Sequence, residues 1–138
     1  MRLRLGRPDL DQYASRFDVP PAQGDFAVTF LGVASLLLSD GRSAVMTDGF
    51  FSRPPLRTVA LGRLSPDLTR IDSALTRAGI EKLEAVLPVH THYDHALDSA
   101  VVAERTGAVL VGGESTANVG RGQGLAEERI RVATPGEP

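Results

Sequence analysis

The three histidines of the chain lie within six residues, at His90, His92 and His95, and Asp94 stands among them. In an extended segment side chains alternate between two sides, so His90, His92 and Asp94 share one side. His95 joins them only if the chain turns near Tyr93, and a turn is expected where a strand ends and a helix begins. Imidazole ligates borderline metals such as zinc and iron, and carboxylate ligates harder ones such as manganese. The cluster therefore predicts a metal site.

The HxHxDH motif crowds four potential ligands into six residues. A single tetrahedral ion does not easily accommodate four ligands so close in the chain, whereas two ions that share a bridging water fit the spacing better. Three clustered histidines seldom occur without a metal, but the site could be structural rather than catalytic. Asp94 could also cap the following helix instead of binding a metal.

The residues around the motif predict a strand before it and a helix after it. The apolar run 85–89 is typical of a short buried strand, and residues 96–106 return to helical spacing before Gly107. Upstream, Asp40-Gly41 predicts the turn of a hairpin with strands at 35–39 and 43–47. The second of these strands runs directly into Asp48.

The remaining segments are predicted to be further helices and strands. A helix is predicted to begin with Ser65 as its N-cap and to end at Gly79. The remaining strands are predicted at 26–31, 108–111 and 130–132, and the glycines at 120, 122 and 124 predict a loop near the mouth of the site. Antiparallel strands followed by helix–strand–helix–strand predict an α+β domain whose helices pack on one side of a sheet.

The composition bounds the class of protein. The chain has 138 residues, enough for one domain, and its net charge of −2 gives no sign of nucleic-acid binding. The absence of cysteine excludes disulfides, thiolate zinc sites and a cysteine nucleophile. No apolar run approaches the ~20 residues of a membrane span, and no secretory signal is recognisable, so a cytoplasmic protein is expected. Residues 1–24 are predicted to form an N-terminal extension and linker with a short helix at 9–16.

The motif at 90–95 resembles the signature loop of the metallo-β-lactamase-fold superfamily. Residues 47–52, with Asp48 at a strand end, are similar to the first motif of that fold. Residues 30–38 are most similar to its lactonase-like and phospholipase-D-like branch. The resemblance implies a metallo-β-lactamase-like αββα sandwich, of which residues 25–138 form about the N-terminal half. A half-sandwich leaves one apolar face of its sheet uncovered, and such a face normally indicates a partner or aggregation.

The resemblance also implies roles for individual residues. His90 and His92 would hold a first metal, and Asp94 with His95 a second, with zinc as the expected metal and iron or manganese as alternatives. Asp94 would orient the nucleophile and manage its proton. Asp48 would stand behind the ligands and orient them, although it could also belong to a plain Asp-Gly turn. No histidine follows His95, so the family's later histidine ligands have no counterpart.

Two functions from different classes follow. The first is a metal-dependent hydrolase in which a di-metal site activates water for attack on an ester, lactone, amide or phosphodiester. The alternative is a catalytically incomplete metal-binding or interaction fragment that needs a partner chain, a second copy or the missing C-terminal half. A redox iron centre is a third, smaller hypothesis, which the absence of any flavin or second-domain signal disfavours.

Overall fold

The computed structural model describes residues 25–134 and residue 136, so the predicted N-terminal linker and its helix at 9–16 lie outside the described residues. Within these described residues, six strands form one sheet in the order β1 to β6. The strands are β1 Ala27–Gly32, β2 Ser35–Ser39, β3 Ala44–Thr47, β4 Ala85–Leu87, β5 Val109–Gly112 and β6 Ile130–Val132. The helices are α1 Leu56–Leu61, α2 Leu68–Arg77, α3 Tyr93–Ala96, α4 Ser99–Thr106 and α5 Glu114–Gly122, and a 3-10 turn covers Glu127–Arg129.

The sheet is antiparallel from β1 to β3 and parallel from β3 to β6. The predicted hairpin is confirmed as β2 and β3, and its turn is held by Asp40. The Asp40 carboxylate accepts from the backbone N–H groups of Arg42 at 2.9 Å and Ser43 at 2.7 Å. These backbone bonds lower the pKa of Asp40 because they favour its ionised form. An Asp-Gly turn thus sets the register that carries β3 toward Asp48.

The core lies on the helix side of the sheet. Met46, Val86 and Leu110 are paired neighbours on β3, β4 and β5, and all three are fully buried. Ile71 from α2 and Val102 from α4 pack into the same apolar cluster. Burying residues of this size contributes about 1.5–3 kcal/mol each. The expected α+β architecture, with helices packed on one face of a sheet, is confirmed.

The opposite face of the sheet, here called the outer face, is also apolar. Val28 and Phe30 on β1 are 56% and 63% exposed, and they pair with Leu38 and Leu36 on β2. Leu38 pairs in turn with Val45 on β3, so that these side chains line one surface. The described residues therefore include the apolar sheet face that the half-sandwich interpretation predicts.

The N-terminus of α2 differs from its prediction. The helix begins at Leu68, and its N-cap is Asp67 rather than Ser65. The Asp67 carboxylate accepts from the backbone N–H of Arg70 at 3.1 Å, which satisfies one of the free donors of the first turn. The preceding long loop also contains a short helix, α1, which begins after Pro55.

The predicted glycine-rich loop is wrong, because Gly120 and Gly122 belong to α5 and only Gly124 follows that helix. Gly120 is buried, and a Cβ there would lie 2.9 Å from Leu110 Cδ2 and 3.0 Å from Ile130 Cδ1. This glycine therefore allows α5 to approach the sheet closely. Gly120 is thus explained by helix-to-sheet packing and not by a loop.

Candidate metal centre

The HxHxDH motif occupies the junction between β4 and α3. Strand β4 ends at Leu87, the chain bends at Val89 and His90, and His92 is the N-cap of α3 with φ −64° and ψ 153°. The His92 carbonyl accepts from the N–H groups of His95 at 3.0 Å and Ala96 at 2.9 Å. This helical turn after Tyr93 is the turn that His95 needs to approach the other histidines.

The turn brings all three imidazoles into contact. The ring centroid of His90 lies 4.6 Å from that of His92 and 3.9 Å from that of His95. Asp94 Oδ2 lies 3.7 Å from His95 Nε2, and the Asp94 side chain is 42% exposed. Across residues 25–134, no group of three or more histidine, aspartate or glutamate side chains already has its ligating atoms arranged around one point for a metal ion.

Asp48 lies directly behind His95. Its carboxylate is completely buried, and Oδ2 lies 3.0 Å from His95 Nδ1. The second oxygen, Oδ1, accepts from the backbone N–H of Val89 at 2.8 Å. Because a carboxylate only accepts, the bond places the His95 proton on Nδ1 and leaves the Nε2 lone pair facing Asp94. This is how a carboxylate behind a metal-ligating histidine sets its tautomer.

The backbone at Asp48 is unusual and explains the reach of its side chain. Asp48 has φ +56° and the next residue, Gly49, has φ +80°. Aspartate tolerates this left-handed conformation better than most residues, and glycine adopts it freely. Two consecutive left-handed residues turn the chain sharply as β3 ends, which directs the carboxylate toward the residues that follow β4.

Asp98 is a second buried carboxylate, which the sequence analysis missed. It accepts from the backbone N–H groups of Phe51 at 2.7 Å and Ser52 at 2.6 Å, and from the Ser52 hydroxyl at 2.6 Å. Burial raises the pKa of Asp98, and the bonds from Ser52 and Phe51 offset part of that rise. The Ser52 hydroxyl oxygen also accepts from the N–H of Asp67, so the network extends to the cap of α2.

Two serines complete the attachment of the segment 48–52, here called the β3 loop. Ser35 Oγ accepts from the N–H groups of Gly49 at 3.2 Å and Phe50 at 2.9 Å. The Ser99 hydroxyl lies within hydrogen-bond distance of the carbonyls of Asp48 and His95. Both serines are fully buried. The sequence contains one sign of this buried polar network. Asp98 and Ser99 are adjacent polar residues at the start of a largely apolar helical stretch.

Phe50 forms a wall beside the histidines. Its ring packs edge-on against Tyr93, with centroids 6.2 Å apart and planes at 78°. Phe50 is buried, whereas Tyr93 is 37% exposed. The cluster is therefore bounded by aromatic surface next to α3 and open to solvent at Asp94.

The family model described as the metallo-beta-lactamase superfamily matches residues 28–138. A UPF0173 metal-dependent hydrolase of Heliobacterium modesticaldum is 31% identical over 84 residues, which are 61% of this chain and 28% of that protein. A UPF0173 metal-dependent hydrolase of Thermus thermophilus is 26% identical over 83 residues, covering 60% of this chain and 30% of that protein. The matched part thus spans less than a third of the length of these relatives.

Two solved metallo-beta-lactamase structures have a similar fold. The structure of SMB-1 bound to 2-mercaptoethanesulfonate aligns with a TM-score of 0.53 at 18% identity, covering 83% of this chain and 46% of that one. A B3 metallo-beta-lactamase described as having an active-site glutamic acid aligns with a TM-score of 0.52 at 23% identity, covering 95% and 52%. At these low sequence identities the likeness shows the fold alone. This chain covers about half of each matched chain.

Proposed function

The chain belongs to the metallo-beta-lactamase superfamily, and from that premise we propose that it is a metal-dependent hydrolase with a zinc-type di-metal site. His90 and His92 hold the first ion, and Asp94 with His95 holds the second. The observation that carries the proposal is the contact of three imidazoles at the end of β4, with Asp48 bonded to the rear nitrogen of His95.

The donor set fits zinc or a similar ion. Neutral imidazole nitrogens and a carboxylate oxygen are the ligands that such ions take in catalytic sites. His95 Nε2 and Asp94 Oδ2, 3.7 Å apart, can both turn toward one ion. The exposed Asp94 side chain and the exposed rings of His90 and His92 leave room for the ligating atoms to adjust.

Different residues of the chain have different roles in the proposed hydrolysis. When bound, a zinc-type ion lowers the pKa of a coordinated water and polarises a substrate oxygen. Asp94, at the solvent-exposed side of the cluster, orients the attacking nucleophile and accepts its proton. Asp48 keeps His95 in one tautomer, and the Phe50–Tyr93 pair excludes water from one side. The proposed substrates are small molecules or phosphodiesters with an ester, lactone, amide or phosphodiester bond.

Metal content per chain tests the proposal most directly. The 138-residue chain is purified by gel filtration without added metal and analysed by inductively coupled plasma mass spectrometry. We expect about one or two zinc or iron atoms per chain in the wild type. His92→Ala and Asp94→Ala should each lose metal, whereas Asp72→Ala should retain it, because Asp72 is an exposed carboxylate outside the cluster. A wild-type chain without metal would refute the proposal for this chain.

A second candidate function rests on the outer face and on the share of the relatives that this chain spans. In this alternative the chain binds metal but needs a second copy or another chain to cover the outer face and complete the ligand set. It predicts metal without turnover in a monomer, and turnover only in an assembly. Gel filtration with light scattering, combined with hydrolysis of bis(p-nitrophenyl) phosphate and p-nitrophenyl acetate, separates the two candidates.

The location of the protein stays a prediction. No helix within residues 25–134 has both the length and the apolar character needed to cross a membrane. We propose a cytoplasmic protein on the basis of its sequence.

A further inference from the structure

An open cleft of about 770 Å³ lies between β1 and α2, on the helix side of the sheet. It is separated from the histidine cluster by the β3 loop. Phe51 lines the cleft, whereas the preceding residue, Phe50, packs against Tyr93 beside the histidines. The cleft is therefore a second concave surface, distinct from the candidate metal centre. Its volume falls in the range of small-molecule sites.

The lining of the cleft combines an apolar floor with a cationic rim. Leu31, Leu37 and Phe51 form the floor, and they belong to the core or pack against it. Within residues 25–134, the rim is lined by Arg53, Arg70 and Arg77, and no aspartate or glutamate lines the cleft. The cleft thus offers positive charge directly next to apolar surface.

Arg53 is held at the rim by three features of the fold. Its own backbone is left-handed, with φ +44°, which is uncommon for an arginine. Its guanidinium Nη2 donates to the carbonyl of Leu31 at 2.8 Å. Gly32, with φ +101°, leaves the space that this guanidinium occupies, because a Cβ at that position would collide with Nη2. Strained backbone that fixes a charged side chain is a feature of binding sites.

The two arginines of α2 complete the rim. Arg70 donates from Nη1 to the carbonyl of Ser52 at 3.1 Å and pairs with Asp67 through Nε at 3.3 Å. Arg77 lies two helical turns further along, and within residues 25–134 it forms no ion pair with a carboxylate. A guanidinium has five N–H donors, so Arg53 and Arg70 keep donors in addition to those already engaged.

We propose that this cleft binds a small amphipathic anion, in which a phosphate or carboxylate meets the arginines and an apolar group lies on the floor. Guanidinium groups bind both anions through paired charge-assisted hydrogen bonds. Two of the three arginines are already positioned by the fold, which reduces the entropy lost on binding. Binding in the cleft does not depend on a metal at the histidine cluster. The anion bound there can differ from the substrate of the proposed hydrolase.

Hexyl phosphate is the probe for the test, titrated into the 138-residue chain by isothermal titration calorimetry. Hexanol and inorganic phosphate, which carry only the tail or only the anion, should each bind at least tenfold more weakly. Arg77→Gln and Arg53→Gln should each weaken hexyl phosphate binding about tenfold, because each removes a charge-assisted contact. The matched control is Arg42→Gln, in the exposed hairpin turn, and it should leave binding unchanged.

Two further results separate this site from other places where the probe could bind. Hexyl phosphate should bind His92→Ala as tightly as wild type, and loss of binding in that variant would place the probe at the metal centre and overturn the proposal. Equal binding of hexanol and hexyl phosphate would indicate the outer face and would also overturn it. The proposal would also be overturned if hexyl phosphate showed no saturable binding. It would be overturned as well if Arg42→Gln weakened hexyl phosphate binding as much as Arg77→Gln does. Arg77 is exposed on α2, so its variant tests the proposal even if Arg53→Gln disturbs the β3 loop.

Discussion

Replacing Asp48 with asparagine tests how the β3 loop controls the metal centre. The Asn side chain has the same shape, and asparagine also tolerates the left-handed φ of +56°. Its carbonyl oxygen can still accept from the N–H of Val89. Its amide, however, is a donor where the carboxylate oxygen accepted from His95 Nδ1. His95 must then carry its proton on Nε2, which blocks the nitrogen that faces Asp94.

The expected magnitude follows from this single reversed bond. Changing the residue behind a metal-ligating histidine typically lowers metal affinity 10- to 100-fold, or about 1.4–2.7 kcal/mol. The free energy of unfolding of the metal-free chain should change by only about 1 kcal/mol, because one hydrogen bond is altered and the packing is kept. Asp48→Asn should therefore lose metal affinity while remaining folded.

Zinc affinity is measured by competition with a chromophoric chelator, and unfolding by urea denaturation of the metal-free chain. The His95 tautomer is read from imidazole nitrogen chemical shifts. Asp72→Asn is the control, since Asp72 is exposed and, in the described part of the chain, pairs with Arg105. An Asp48→Asn chain with wild-type zinc affinity, or with its His95 proton still on Nδ1, would refute the role of Asp48.

The remaining predictions concern the buried network and the packing of α5. Asp98→Asn should lower the free energy of unfolding by about 2–4 kcal/mol in urea denaturation, because the amide cannot accept from all three donors; an unchanged midpoint would contradict this. Because burial raises the pKa of Asp98, the stability it contributes is complete below an unfolded pKa of about 3.9 and is lost as the pH rises through its folded pKa. The wild-type minus Asp98→Asn difference should therefore shrink as the pH rises above about 4, and a difference that grows would exclude this linkage. Gly120→Ala should cost about 1–3 kcal/mol by crowding Leu110 and Ile130, whereas Gly122→Ala, with open space at its Cβ, should be neutral or slightly stabilising in thermal melts.

Local patterns predicted the sheet well because short-range chemistry determines those elements. Asp40-Gly41 specifies its turn through bonds to the next two or three residues, so the hairpin was predictable. The N-cap of α2 was not, because Ser65 and Asp67 are both good caps and the choice depends on a distant contact. Ser52 accepts from the N–H of Asp67, 15 residues away, and this contact fixes where the helix begins.

In the candidate site, too, residues close together in the chain were predictable and contacts between distant residues were not. His90, His92 and His95 were found from spacing alone, since a strand end followed by one helical turn brings them together. Asp98 could not be found in this way, because its partners Phe51 and Ser52 are 47 and 46 residues away. The role of a buried carboxylate can be recognised only when its hydrogen-bond donors are known. The periodicity of the sequence does not identify those donors.

The β3 loop is the common support of both sites. Asp48 begins it and is bonded to the histidine cluster, whereas Asp98 holds its other end at Phe51 and Ser52. Phe50 and Phe51 are adjacent in the chain, but one packs beside the histidines and the other lines the arginine-rimmed cleft. Because this five-residue segment is fixed at both ends by buried carboxylates, it holds the boundary between the two surfaces in place. The two carboxyl groups thus have a common structural role, because each satisfies backbone N–H groups or a histidine that would otherwise lack a partner beside the loop.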